Sequence, residues 1–157
     1  MAADSEPPEV SRPGQQTINQ AGGDMAQTKP KRSLHILFID DDPQVREFME
    51  VCLTQFKHRV VVASGGRQGI ELFRAATLKN QPYEVVITDL GMPDVDGRQV
   101  ARTIKAESPN TPIIMLTGWG AMMKEEGETV PGVDIVVSKP PRMHELNDLL
   151  LRMATPA

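Results

Sequence analysis

The chain has 157 residues, 39% hydrophobic and 24% charged, with a formal net charge of −4. That is the size of one ordinary domain, with little room for a second. No apolar run reaches the roughly eighteen residues of a membrane helix, and no basic-then-apolar leader opens the chain. The single cysteine, Cys52, excludes an internal disulfide framework and a cysteine-rich zinc site. The acidic balance argues against broad nucleic-acid binding. These bounds lead to the expectation of a soluble, cytoplasmic, single domain without membrane insertion.

Residues 1–33 hold four Pro, three Gly and four Gln, no aromatic residue and no periodicity. Such a stretch cannot bury enough surface to offset its ordering entropy, so a disordered arm or linker is expected. Its charges cancel, and the whole −4 falls on residues 34–157. The basic residues Lys29, Lys31 and Arg32 read as solvated.

From Leu34 the texture changes. Leu34–Ile39 is an apolar run that ends in Asp40-Asp41-Asp42-Pro43. Val45, Phe48, Met49, Cys52 and Phe56 then recur at helical spacing, with Asp42 as N-cap and Pro43 in the first turn. Cys52 lies on that stripe and reads as a buried small hydrophobe. Arg59–Ala63 predicts a strand, and Gly66–Lys79 a helix with Ile70, Phe73 and Ala76 inward. Glu84–Thr88 predicts a strand closed by Asp89. Gly97–Glu107 predicts a helix capped by Asp96, with Val100 and Ile104 inward. Pro112–Leu116 predicts a strand closed by Thr117. Residues 119–130 give at best a weak helix, interrupted by Gly120 and Gly127. Val133–Val137 predicts the last strand. Pro141–Met153 predicts the last helix, with Leu146, Leu149, Leu150 and Met153 on one face.

Five short, β-branched strands without polar alternation are strands buried on both faces, as in a parallel sheet covered by helices. The expected class is α/β, a doubly wound sandwich of flavodoxin-like order 2-1-3-4-5. Ligands of such a sheet sit at the carboxyl ends of the strands, near the switch point between strands 1 and 3. Here those ends carry Asp40-Asp41, Asp89, Thr117 and Ser138-Lys139-Pro140. Crowded carboxylates repel one another, and a divalent cation relieves them. All-oxygen ligands without His or Cys suit Mg²⁺. A lysine and a hydroxyl beside a metal-bound carboxylate make a phosphoryl-transfer site, with a carboxylate as nucleophile. Asp42, Asp94 and Asp96 read as caps or turn residues.

Four blocks, ILFIDDDPQVR, VVITDLGMPDVDG, IIMLTGWG and VVSKP, together resemble the signature blocks of response-regulator receiver domains of two-component signalling. The resemblance covers residues 34 to about 153. It implies that Asp89 is the phosphoacceptor, taking its phosphoryl group from a phosphohistidine on a histidine kinase or histidine phosphotransfer protein. It implies that Asp40 and Asp41 bind Mg²⁺, Asp41 directly and Asp40 largely through water, with Asp89 and the backbone carbonyl of Gly91 completing the set. Thr117 matches the switch hydroxyl and Lys139 the lysine that pairs with the phosphoryl group. The Lys139–Pro140 bond is expected to be cis.

Three departures stand out. Val136 occupies the place of the usual aromatic switch, so no swinging ring can carry the signal. Pro141 stands where the family often has Phe. The fourth helix is weak, with Gly118 and Gly120 bracketing Trp119, and is expected to rearrange on phosphorylation. Trp119 either packs over the sheet or borders the pocket. Met122 and Met123 either pack or face a partner, and His35, His58 and His144 read as structural or solvent-facing.

The resemblance implies a switch that catalyses only its own phosphorylation and dephosphorylation. No output domain is expected in this chain, so the effect passes to an unknown downstream protein through the face of the fourth helix, fifth strand and fifth helix. No direct nucleic-acid partner is expected. The alternatives are a receiver-like binding module that acts without phosphorylation, and a haloacid-dehalogenase-type phosphatase. The latter lacks its hydroxyl residue after Asp40-Asp41-Asp42 and its cap insertion.

Overall fold

The computed structural model describes residues 32–118 and 130–154. The arm expected over 1–33 lies outside them but for Arg32 and Ser33. The weak helix over 119–130, with Trp119, Met122 and Met123, also lies outside but for Val130.

Five strands form one parallel sheet: β1 (His35–Ile39), β2 (Arg59–Ala63), β3 (Val85–Asp89), β4 (Ile113–Thr117) and β5 (Ile135–Ser138). Their order is β2-β1-β3-β4-β5, as the apolar patterning predicts. The described helices are α1 (Pro43–Gln55), α2 (Gly66–Leu78), α3 (Gly97–Glu107) and α4 (Met143–Met153). β1, β3 and β4 are buried throughout because successive side chains enter opposite, equally apolar layers. Leu37, Ile39, Val86 and Ile113 join Phe73 of α2 and Val100 and Ile104 of α3 on one face. Ile36, Phe38, Val85, Ile87 and Ile114 join Met49 and Leu53 of α1 and Leu146 and Leu150 of α4 on the other. The split follows from the order: the chain steps one way from β1 to β2 and then reverses, and right-handed crossovers place the helices of the two directions on opposite faces.

Caps fix the helix starts. Asp42 accepts from the amides of Gln44 and Val45, with Pro43 next, and Asp96 accepts from the amide of Gln99. Helix α1 ends in a left-handed residue, Lys57 (φ 73°). There the Lys57 amide donates to the Thr54 carbonyl and the His58 amide to the Leu53 carbonyl.

The stripe predicted for α1 is narrower than its sequence suggests. Phe48 is 54% exposed and Cys52 only half-buried, whereas Leu53 is fully buried. α1 touches the sheet along one line, and Phe48 stands beside it on the wall of an open groove with Val45, Leu116, Pro140 and Pro141. The last strand begins two residues later than predicted. A turn over 130–134, with Gly132 at φ 85°, occupies the intervening positions. Asp134 there accepts the Ile113 amide on its side chain.

Among the described residues no helix is long and apolar enough to cross a membrane.

Candidate functional site

All five strands are parallel, so their carboxyl ends share one edge of the sheet. Ile39 is paired with Thr88, Asp89 with Leu116, and Thr117 with Ser138. The residues just past or at these rungs are Asp40, Asp89, Thr117 and Lys139. The register alone therefore brings together the side chains singled out in the sequence. Carboxylate oxygens of Asp40, Asp41 and Asp89 lie within 4.8 Å of one another. Asp40 is buried and Asp41 exposed, while Asp89 is buried at 9% exposure.

Lys139 joins this cluster from the far side. Its Nζ lies 2.7 Å from Asp89 Oδ1 and 3.0 Å from Asp40 Oδ2. Its own amide donates to the Thr117 carbonyl at 3.0 Å, and the following bond to Pro140 is cis, as expected. Asp40 is engaged at every acceptor: Oδ2 by Lys139, Oδ1 by the Asp42 amide at 2.9 Å, and the carbonyl by Arg46 Nη1 at 2.8 Å. Asp41 projects from the same turn into solvent. Thr117 is buried and is the residue of β4 that follows the Asp89 rung.

The electrostatics follow from this packing. Burial raises the pKa of Asp89, the charge of Asp40 adds to the rise, and the hydrogen bond from Lys139 offsets part of it. Burial pulls the Lys139 ammonium down, but its bonds to Asp89 and Asp40 outweigh that and hold it above the ordinary lysine value. The cluster thus keeps its lysine charged while its central acid resists ionisation. An all-oxygen donor set of three acids fits a hard divalent cation, which would relieve that resistance.

The loop from β3 to α3 is tightly folded against the acceptor. The Gly97 amide donates to the Leu90 carbonyl at 2.9 Å. A Cβ at Gly97 would lie 2.2 Å from the Asp89 carbonyl oxygen, so only glycine permits this approach. Gly91 is exposed, with nothing within 4 Å of a built Cβ. Asp94 (φ 71°) bonds Arg67 of α2 at 2.7 Å and stays outside the cluster, as a turn residue should.

The three histidines stay outside as well. His35 Nδ1 lies 3.2 Å from the Pro82 carbonyl, and its ring lies on Tyr83. His144 meets Phe56 edge-on. His58 is buried: its Nδ1 accepts the Leu34 amide at 3.0 Å, so its Nε2 carries the proton and donates to Asn147 Oδ1 at 2.6 Å. Sequence reasoning missed this buried pair and the Arg46 bond. Arg46 bonds a main-chain carbonyl, so residue types alone carried no signal for it.

Comparison with known proteins agrees with the geometry. Residues 36–151 match the family model described as the response regulator receiver domain. The transcriptional regulatory protein GlrR of Escherichia coli is 30% identical over 78% of this chain, and the match spans 27% of GlrR. The chain thus spans about a quarter of the length of that curated relative. A response regulator receiver domain protein from Clostridium thermocellum superposes with a TM-score of 0.62 at 27% identity, covering 77% of this chain and 93% of that one. The receiver domain of a sensor histidine kinase from Pseudomonas aeruginosa gives a TM-score of 0.65 at 27% identity, covering 78% and 98%. That domain has a magnesium ion coordinated in its active site cleft.

Proposed function

Because this chain belongs to the response regulator receiver domain family over residues 36–151, we propose that it is a phosphorylation switch with Asp89 as the phosphoacceptor. The family is a phosphoryl-accepting module of two-component signalling. The observation that carries the assignment is the Lys139 ammonium bridging Asp89 and Asp40, with Asp41 completing the acidic cluster.

The donor is a phosphohistidine on a histidine kinase or a histidine phosphotransfer protein. An Asp89 carboxylate oxygen forms a bond to phosphorus as the phosphorus–nitrogen bond breaks. The electron pair of that bond returns to the imidazole, and the product is an acyl phosphate on Asp89. Lys139 holds positive charge where the phosphoryl oxygens gather, and the Thr117 hydroxyl donates to one of them. Asp40, Asp41 and Asp89, with the Gly91 carbonyl, would hold Mg²⁺, which would supply positive charge against the phosphoryl oxygens and the carboxylates. Burial raises the proton affinity of Asp89, and positive charge from Lys139 beside it favours the ionised nucleophile. The only chemistry is the chain's own phosphorylation and dephosphorylation.

Residues 34–157 form the receiver domain and 1–33 an arm, in the cytoplasm. Output passes to a downstream protein through the face of β5 and α4, without direct contact to nucleic acid. Val136, half-buried beside Met115 and Val130, has no ring to swing, so the signal takes the form of a backbone or helix shift.

Beryllofluoride, which mimics a phosphoryl group on an aspartate, tests the reading. With Mg²⁺ present, ¹⁹F NMR should show bound fluoride in the wild type and none in Asp89→Asn. If both proteins behave alike, the phosphorylation reading falls, and a binding module that acts without phosphate takes its place.

A further inference from the structure

Arg46 stands in the first turns of α1, and its Nη1 donates to the Asp40 carbonyl at 2.8 Å. That carbonyl lies past the last rung of the β1–β3 ladder, Ile39 with Thr88, and the last sheet bond of the segment is the Asp40 amide to the Ala63 carbonyl of β2 at 3.2 Å. Three more bonds complete the turn. The Asp42 amide donates to Asp40 Oδ1 at 2.9 Å, the Asp42 side chain accepts the Gln44 amide at 2.9 Å, and the Arg46 amide donates to the Asp42 carbonyl at 3.0 Å. The segment from Asp40 to Arg46 is therefore a ring, closed at its far end by the guanidinium. Three acids that repel one another occupy or face this ring. Without closure the turn could open and move Asp41 away from Asp89. The Arg46 bond goes to a backbone carbonyl, which leaves the carboxylates to other partners.

We propose that Arg46 is a positioning residue for the divalent-cation site: it fixes the Asp40–Asp42 turn so that Asp40 and Asp41 present their carboxylates toward Asp89. The inference rests on the Mg²⁺ reading given above. Two physical accounts of Arg46 predict opposite signs. As a nearby positive charge it would repel a cation, and its removal would tighten binding. As a closure of the turn it favours binding, and its removal weakens it.

The experiment uses the full chain with Arg46→Met and Arg46→Lys. Metal-free amide exchange by NMR reads the closure, and calorimetric titration with MgCl₂ reads the site. In Arg46→Met the Asp42 amide should exchange about tenfold faster, and Mg²⁺ affinity should fall about three- to tenfold, the scale of one typical net hydrogen bond. Arg46→Lys, which can still donate to the carbonyl, should recover most of both. Should the methionine variant fail to fold, Arg46→Gln carries the same two readings.

Unchanged exchange at Asp42 overturns the closure. Unchanged or tighter Mg²⁺ binding overturns the positioning role. A wild type without saturable binding that Asp41→Asn abolishes overturns the cation site, and the positioning role with it. The metal-free exchange still reads the closure in that case, so the two failures are distinguishable.

Discussion

Asp89 pays for its position in proton affinity. Burial raises its pKa above the ordinary 3.8, and Asp40 adds to the rise. A carboxyl with a raised folded value holds its proton more tightly when folded. Its stabilising contribution is complete below about pH 3.8 and is lost as pH rises through the folded value. At pH 7 the ionised Asp89 is therefore a burden on the metal-free fold. Asp89→Asn should raise the metal-free Tm at pH 7 by a few degrees, and the gain should shrink as pH falls toward 3.8. Calorimetric scans across that range check this, and a variant no more stable than wild type at pH 7 contradicts it. The acids and Lys139 were legible in the sequence because each sits at the end of a recognisable strand. Arg46 was not, because its partner is a backbone carbonyl, and a main-chain acceptor leaves no mark in residue types. His58 stayed hidden because its role depends on Leu34 and Asn147, which only the folded chain brings near.

Between elements, the start of α3 is packed directly on the acceptor strand. The Cβ that Gly97→Ala would add meets the Asp89 carbonyl at 2.2 Å, far inside contact distance. The variant should lose about 1–3 kcal/mol of stability by overpacking, and its beryllofluoride signal should weaken because Asp89 itself is displaced. Gly91→Ala meets nothing and keeps its carbonyl, so stability should stay within about 0.5 kcal/mol and Mg²⁺ affinity should hold. Urea unfolding and Mg²⁺ titration of the two variants side by side check both claims. The strands were readable to within one residue for most elements. β3 and β4 include Asp89 and Thr117, which the apolar pattern had left just outside. Pairing sets the strand end, and polar residues pair as well as apolar ones: Asp89 faces Leu116, and Thr117 faces Ser138. The starts of α1 and α3 came out closer because Asp42 and Asp96 announce them chemically, whereas α4, without a side-chain cap, begins at Met143 rather than Pro141.

Across the whole molecule, the two edges of the sheet divide the work. The carboxyl edge gathers repelling acids, which costs stability. The amino edge carries the His58 bridge, which ties α4 to the entries of β1 and β2 through Asn147 and Leu34. Asn147→Leu keeps the volume but leaves the His58 ring N–H without an acceptor. It should cost about 1–3 kcal/mol in urea unfolding and leave Mg²⁺ affinity unchanged. A coincident loss of affinity would show that the edges are not independent. The fold class was legible because a doubly wound sheet follows from strand texture and order, whereas this bridge joins residues 89 positions apart. Lys139 adds a consequence in time. It lies 99 residues after Asp40, on the far side of the last strand. As the chain leaves the ribosome, the three acids emerge first and their resident countercharge last. Pairing of β5 with β4 therefore delivers the last rungs of the ladder and the ammonium of the acidic cluster together.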